Sequence, residues 1–340
     1  MRAAVVEAFG NPLVLREWDT PIPGTGQILF KTEACGVCHT DLHAVRGDLS
    51  VEPAPPFIPG HEGIGRVATV GAGVTNVREG DRVGVPWLYS ACGHCECCLS
   101  DWETVCDGAQ FGGYTVNGGF ADYILADPNY VARIPAALSA VDAAPIICAG
   151  VTSYKGIKET ATKPGDWIVI SGAGGLGHLA IRYAKAMGLH VFAVDIDDGK
   201  LAHAAQVGAD VTCNARSPNA VELVKKATGG GAHGVLITAP SLAAFKQGVD
   251  MTRTRGTCVL PGLPPGDFPF PVFDVVLNCI TVRGSLVGTR QDMVEALAFA
   301  AEGKVKADIE RQPLSAINQV FDRFGRGEVA GRVVLDFAKH

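Results

Sequence analysis

Residues 166–195, DWIVISGAGGLGHLAIRYAKAMGLHVFAVD, restrict the chain more than any other stretch. Trp167 to Ser171 is apolar without alternation, as expected of a strand buried on both faces of a sheet. Gly172, Gly174 and Gly177 follow as G-x-G-x-x-G, then a helical segment, then a second apolar run from His190 to Asp195. A lone G-x-G-x-x-G says little. One that closes a buried strand and opens a helix predicts a unit that binds a dinucleotide. Gly172 permits the tight turn, Gly174 lets a pyrophosphate approach the backbone, and Gly177 lets helix pack on strand. Gly175 and Leu176 complete the turn, whose N–H groups meet phosphates at the positive end of the helix. Asp195 stands eighteen residues after Gly177, where a carboxylate accepts from a ribose 2′-hydroxyl and repels a 2′-phosphate. Ile196, Asp197 and Asp198 follow it, with no adjacent arginine, so NAD is favoured over NADP.

The alternation continues through KLAHAAQVG, ADVT, AVELVKKATGG, GVLITA, LAAFKQGVDM and GTCVLPG. Strands alternating with helices predict a parallel doubly wound sheet. Residues 1 to about 135 read differently, as short strands broken by glycine and proline: an irregular, barrel-like β region carrying long loops. Residues 85–118 form one such loop, too long to stand without an internal staple. The tail from about 288 predicts helix, strand, helix and a last strand, GRVVLDF.

A net charge of −6 gives no electrostatic case for nucleic acid or an anionic membrane. The most apolar window, AALSAVDAAPIICAGVTSY, contains Asp142 and Pro145 and does not read as a membrane span. Glu7 interrupts the start too early for a signal-peptide core, so a cytoplasmic address is expected. In that reducing setting eleven cysteines read as thiols or metal ligands rather than disulfides.

Five of them crowd into CGHCECCLSDWETVC, residues 92–106. Cys92, Cys95, Cys98 and Cys106 stand at C-x2-C-x2-C-x7-C, a spacing that lets one turn of chain wrap a small ion with thiolates at about 2.3 Å. Iron–sulfur clusters use related spacings. A closed tetrathiolate zinc is the commoner outcome, and a redox C-x-x-C lacks its usual strand-to-helix setting here. Cys97 is the odd one out and points away in this reading. Such a zinc staples a loop and offers no open position for chemistry.

Other candidate ligands are scattered: Cys38, His39, Thr40, Asp41 and His43 in ACGVCHTDLHAVRGD, His61 and Glu62 in IPGHEGIGRV, and Cys148 in APIICAGVTSYKG. Each alone is weak. With GHEGIGRV, the four-cysteine lobe, GAGGLGHLA and the terminal GRVVLDF, the chain resembles the zinc-dependent medium-chain alcohol dehydrogenases nearly end to end. The resemblance implies a catalytic zinc on Cys38, His61 and Cys148, with Glu62 beside it as an outer or alternate ligand and Asp41 bonded to His61. Three protein ligands leave one coordination position open. Two thiolates and one neutral imidazole cancel the ion's charge, so a neutral alcohol can enter there and leave as an aldehyde.

By the same resemblance Thr40 bonds the substrate hydroxyl, and His43 passes its proton to solvent through the cofactor ribose. His39 and Arg332 meet the pyrophosphate, Lys200 the ribose and Thr152 the nicotinamide. Trp87 lines the substrate pocket, with Thr40 narrowing it and Leu263 as a further wall, which favours small primary alcohols. The implied fold is a GroES-like β-rich catalytic domain, residues 1–150 and 288–340, interrupted by a Rossmann domain, 151–287, with the cleft between them. Two zinc ions per subunit, NAD, an alcohol or aldehyde substrate and a homotetramer complete the expectation. Alternatives are a polyol or secondary-alcohol dehydrogenase, and an NAD- or zinc-sensing protein on the same scaffold. The zinc-free quinone reductases of this fold are disfavoured by the intact ligand set.

Overall fold

The structure, a computed structural model, describes residues 1–48, 54–264 and 266–338. The chain forms two compact units. One comprises Met1–Cys148, Thr289–Ala301 and Ala307–His340; the other comprises Ala149–Gly288 and Glu302–Lys306.

The first unit is built on a seven-stranded mixed sheet. Its spine is the long strand Ile28–Val37, which pairs antiparallel with Gly63–Val70, Tyr123–Ala126 and the final strand Arg332–Asp336. Arg82–Val85 and Ala132–Arg133 continue the sheet on one side, and Ile309–Gln312 lies parallel to Arg332–Asp336 on the other. Ile28, Phe30 and Ile64 are fully buried along this spine. Each such side chain contributes about 2 kcal/mol relative to leaving it exposed.

The 85–118 stretch has more regular structure than a bare loop. Leu88–Ser90 pairs with Gln110–Phe111, and a short helix, Glu96–Leu99, lies between them with a single tight helical turn at Glu103–Val105. The β-ladder joins the two ends of the lobe, and the cysteines lie between its strands along the chain.

The second unit is a six-stranded, wholly parallel sheet. Its strands, numbered by their sequence within the unit, run 3-2-1-4-5-6: Val211–Asn214, His190–Asp195, Trp167–Ser171, Ala232–Ile237, Thr252–Leu260 and Thr281–Gly284. This is the Rossmann order, which reverses between the first and fourth strands and leaves a crevice at their carboxyl ends. Val169, Ile170 and Val235 are fully buried. That explains why the sequence shows no polar alternation there.

Candidate active site

Cys38 stands at the end of strand Ile28–Val37 and caps helix His39–Arg46. Its N–H donates to Asp41 Oδ2 at 2.9 Å, so Asp41 orders the helix start with one oxygen. With the other it meets His61 Nδ1 at 2.7 Å. His61 and Glu62 lead into strand Gly63–Val70, and Cys148 directly precedes helix Ala149–Glu159. His61 Nε2 lies 3.2 Å from Cys148 Sγ. The donor atoms of Cys38, His61, Glu62 and Cys148 all lie within 4.8 Å of one another, and all four residues are buried. Four donors around one zinc stand about 3.8 Å apart, so the group fits that ion.

Electrostatics divide the two thiols, since contact with Cys38 and burial raise the Cys148 pKa well above that of a free thiol while Cys38 is favoured as a thiolate. Contact with the Cys148 thiol, then with His61 and the Arg332 charge, holds the Cys38 pKa well below that of a free thiol against the cost of burial. Burial disfavours a charged His61, but Asp41 and the Cys38 thiolate outweigh it and raise its pKa well above the usual value. Burial pushes Glu62 up to about 7, against the pull of Arg332. One Glu62 oxygen pairs with the Arg332 guanidinium; the other, Oε2, is buried without a hydrogen-bond partner. A buried carboxylate oxygen left bare costs free energy, and a cation in the group would satisfy it. Gly36, which the sequence did not single out, makes room for this: a Cβ there would lie 1.7 Å from Oε2.

Thr40 Oγ1 lies 3.8 Å from Cys38 Sγ, and His43 Nδ1 lies 2.9 Å from Asp48 Oδ1. His39 packs edge-on to Phe324 at 4.7 Å. The surroundings desolvate His39 and lower its pKa despite the nearby Cys38 thiolate. Trp87 stands edge-on to His61 at 5.4 Å. Phe111 stacks on it at 5.0 Å and Tyr114 leans against it at 5.5 Å. These two aromatic residues carry no periodic signal in QFGGYT, so sequence reading missed them.

In the lobe, the sulfurs of Cys92, Cys95, Cys98 and Cys106 also lie within 4.8 Å of one another, and Cys97 is outside the group. None of the eleven cysteines is disulfide-bonded. The N–H groups of His94 and Cys95 turned toward its sulfur push Cys92 down to about 6. Four convergent thiols with one already favoured as thiolate suit a zinc ion.

In the second unit Gly172 has φ +99°, a conformation L side chains avoid, and a Cβ on Gly177 would lie 1.8 Å from the Gly172 carbonyl oxygen. Gly174 faces open space, as close approach of a ligand requires. Gly175 and Leu176, both half-buried, lead into helix Gly177–Ala186. Asp195 Oδ2 accepts from Ala173 N–H at 2.7 Å and Oδ1 from Asp197 N–H at 3.0 Å, which fixes the carboxylate beside the turn. The Lys200 N–H is occupied in capping, donating to Asp197 Oδ1 at 2.9 Å. Thr152 is buried in helix Ala149–Glu159, and Leu263 is 61% exposed.

A buried thiolate–imidazole group, a four-thiolate lobe and a glycine-rich turn on a doubly wound sheet define the class of zinc-binding, nucleotide-dependent oxidoreductases. The pattern of the family described as "Alcohol dehydrogenase GroES-like domain" matches residues 24–136, and that of "Zinc-binding dehydrogenase" matches residues 175–302. An alcohol dehydrogenase from Moraxella sp. (strain TAE123) is 58% identical, covering 99% of each chain. One from Rhizobium meliloti (strain 1021) is 58% identical over 99% of this chain and 98% of its own. The crystal structure of the alcohol dehydrogenase from the hyperthermophilic archaeon Aeropyrum pernix superposes with a TM-score of 0.90 at 32% identity, over 99% of this chain and 100% of that one. The chain belongs to the zinc-dependent medium-chain alcohol dehydrogenases, and it is an oxidoreductase acting on alcohols. Its β-rich unit is therefore GroES-like, and its parallel sheet is of Rossmann type.

Proposed function

We propose that the enzyme interconverts small primary alcohols and their aldehydes with NAD, using Cys38, His61 and Cys148 to hold a catalytic zinc and Cys92, Cys95, Cys98 and Cys106 to hold a structural one. The convergence of the first three donors beside an unsatisfied Glu62 oxygen carries this reading. Held there by Cys38, His61 and Cys148, zinc would supply a Lewis acid that makes an alcohol hydroxyl more acidic, and NAD would supply the hydride acceptor. The chain's own part is positional. Asp41 orients the His61 ring, leaving Nε2 toward the donor group. Thr40, beside Cys38, is assigned to take a hydrogen bond from the substrate hydroxyl, and His43 to receive the proton through the cofactor ribose and pass it to solvent. His39, Arg332, Thr152 and Lys200 are assigned to the cofactor.

Three features support the finer choices. Asp195, held by two N–H groups, presents a carboxylate that disfavours a 2′-phosphate, hence NAD. Trp87, braced by Phe111 and Tyr114, is a rigid wall beside His61, hence small primary alcohols over secondary ones or polyols. Helix Val272–Leu277 buries no residue and precedes the edge strand Thr281–Gly284, with Phe273 75% exposed. An apolar surface next to an open sheet edge suits a second copy of the chain, hence a homo-oligomer, with the tetramer as the form proposed. No helix among the described residues is long and apolar enough to cross a membrane, and a cytoplasmic setting suits the free thiols.

The test pairs elemental analysis with an NAD-linked panel of ethanol, 2-propanol, benzyl alcohol and sorbitol. Two zinc ions per chain and highest kcat/KM on ethanol are expected. A zinc-replete protein that binds NADH yet turns over none of the four would instead favour the sensing scaffold.

A further inference from the structure

One side chain, 187 residues on from Glu103, reaches the four-cysteine lobe directly at one end and through Tyr130 at the other. Glu103 occupies the tight helical turn Glu103–Val105, and its carbonyl accepts the Cys106 N–H at 3.2 Å. Its carboxylate is buried and turned inward. There Arg290 Nε lies 2.9 Å from Oε2 and Arg290 Nη2 2.7 Å from Oε2, while the Arg290 backbone N–H donates to Oε1 at 2.8 Å. The Arg290 guanidinium carbon lies over the Tyr130 ring, 4.5 Å from its centroid. Tyr130 Oη in turn donates to the carbonyl of Ala91, the residue before Cys92, at 3.1 Å. Arg290 opens helix Arg290–Ala301, where the chain re-enters the first unit.

This geometry matters because the four ligands are not equivalent. Cys92, Cys95 and Cys98 lie on one short wrap of chain and approach one another by local structure. Cys106 arrives seven intervening residues later and is the buried member of the set. Its sulfur is placed by the turn that Glu103 anchors. A loop that must order itself around an ion binds it less tightly than one already ordered, since the ordering is charged to binding. Glu103 is buried while the Arg290 side chain is 49% exposed, so truncating Arg290 leaves the desolvated carboxylate with only the backbone N–H of residue 290, and the turn is then free to leave its position.

We propose that Arg290 is a positioning residue for the four-cysteine metal site: with Glu103 and Tyr130 it forms a latch that holds both ends of the lobe and so sets how slowly the lobe releases its ion. The inference rests on the structural-zinc reading above. By linkage the latch works both ways, and loss of the ion loosens the first turn of helix Arg290–Ala301.

The experiment follows zinc release from the purified full chain into a chromogenic chelator. Two phases are expected, and a Cys38→Ser variant, lacking one, assigns the lobe's phase. Arg290→Ala should speed the lobe phase about tenfold or more and leave the other unchanged. Arg290→Lys, which keeps one charged bond but not the fork, should fall between them and serves as the readout if the alanine variant does not fold. Tyr130→Phe, which frees only Ala91, should speed the same phase by less. Hydrogen exchange at the first turn of helix Arg290–Ala301 should rise when the lobe's zinc is removed. Two zinc ions in the parent with a lobe phase unmoved by either Arg290 variant would overturn the latch alone. One zinc ion in the parent, absent from the lobe, would overturn the structural-zinc reading and the latch with it.

Discussion

Asp41 Oδ1 lies 2.7 Å from His61 Nδ1, with both side chains 1% exposed. A metal-ligating imidazole is oriented by what its second nitrogen touches, and losing such a contact costs about 10–100-fold in metal affinity. Asp41→Ala is therefore expected to weaken zinc at Cys38, His61 and Cys148 by about that factor. Competition with a fluorescent chelator measures it; an affinity equal to the parent's would mean the ring is held by packing alone.

The two thiolate groups should fail in opposite ways. Cys38→Ser removes a donor from the proposed catalytic site, so turnover should drop to background while the melting temperature stays close to the parent's. Cys95→Ser opens the lobe and should lower the melting temperature by several degrees. Calorimetry and an NADH-coupled assay on both variants decide the matter. A heat-resistant Cys95→Ser protein counts against the structural ion, and an active Cys38→Ser protein counts against the catalytic ligand set.

Asp195 does two jobs, facing the proposed ribose site and accepting two N–H groups of the neighbouring loops. Asp195→Gly should raise the Kd for NADH about tenfold, through a looser turn as well as the lost ribose bond, and narrow the preference over NADPH. Fluorescence titration with both cofactors reports each effect. An undiminished preference would place the discrimination elsewhere.

Trp87 is held by Phe111 and Tyr114, so its indole has little freedom to move aside. Trp87→Ala is expected to shift kcat/KM toward benzyl alcohol relative to ethanol, by about tenfold, the scale of a hydrophobic pocket change. The ratio of the two specificity constants is the readout. If both fall in proportion, the ring supports the site without shaping it.

Glu310 is bonded by Arg323 at 2.6 and 2.7 Å and by Gln312, which together push its pKa down to about 2 from the usual 4.5. A carboxylate depressed in the folded state stabilises fully above its unfolded pKa and loses that contribution as pH falls toward the folded value. The pair is partly exposed, so the effect is no more than about 1 kcal/mol, or about 1 °C for a chain of this length. Glu310→Gln should melt slightly below the parent at pH 7 and match it near pH 2. A gap that persists at pH 2 would trace to packing.

Residues 166–195 show what local pattern determines. Strand, glycine turn, helix and strand were legible because burial on both faces removes alternation, and because a tight turn against a helix admits only glycine. The same holds for the four-cysteine lobe, whose first three ligands stand within a single wrap of chain. Tertiary structure decided what depends on distant residues meeting. The Glu62 oxygen bared beside Gly36, the stack of Phe111 and Tyr114 on Trp87, and the reach of Arg290 to Glu103 across 187 positions have no short-range signature. Long-range contacts such as these follow from how strands pair and lobes fold back, and spacing along the chain records neither.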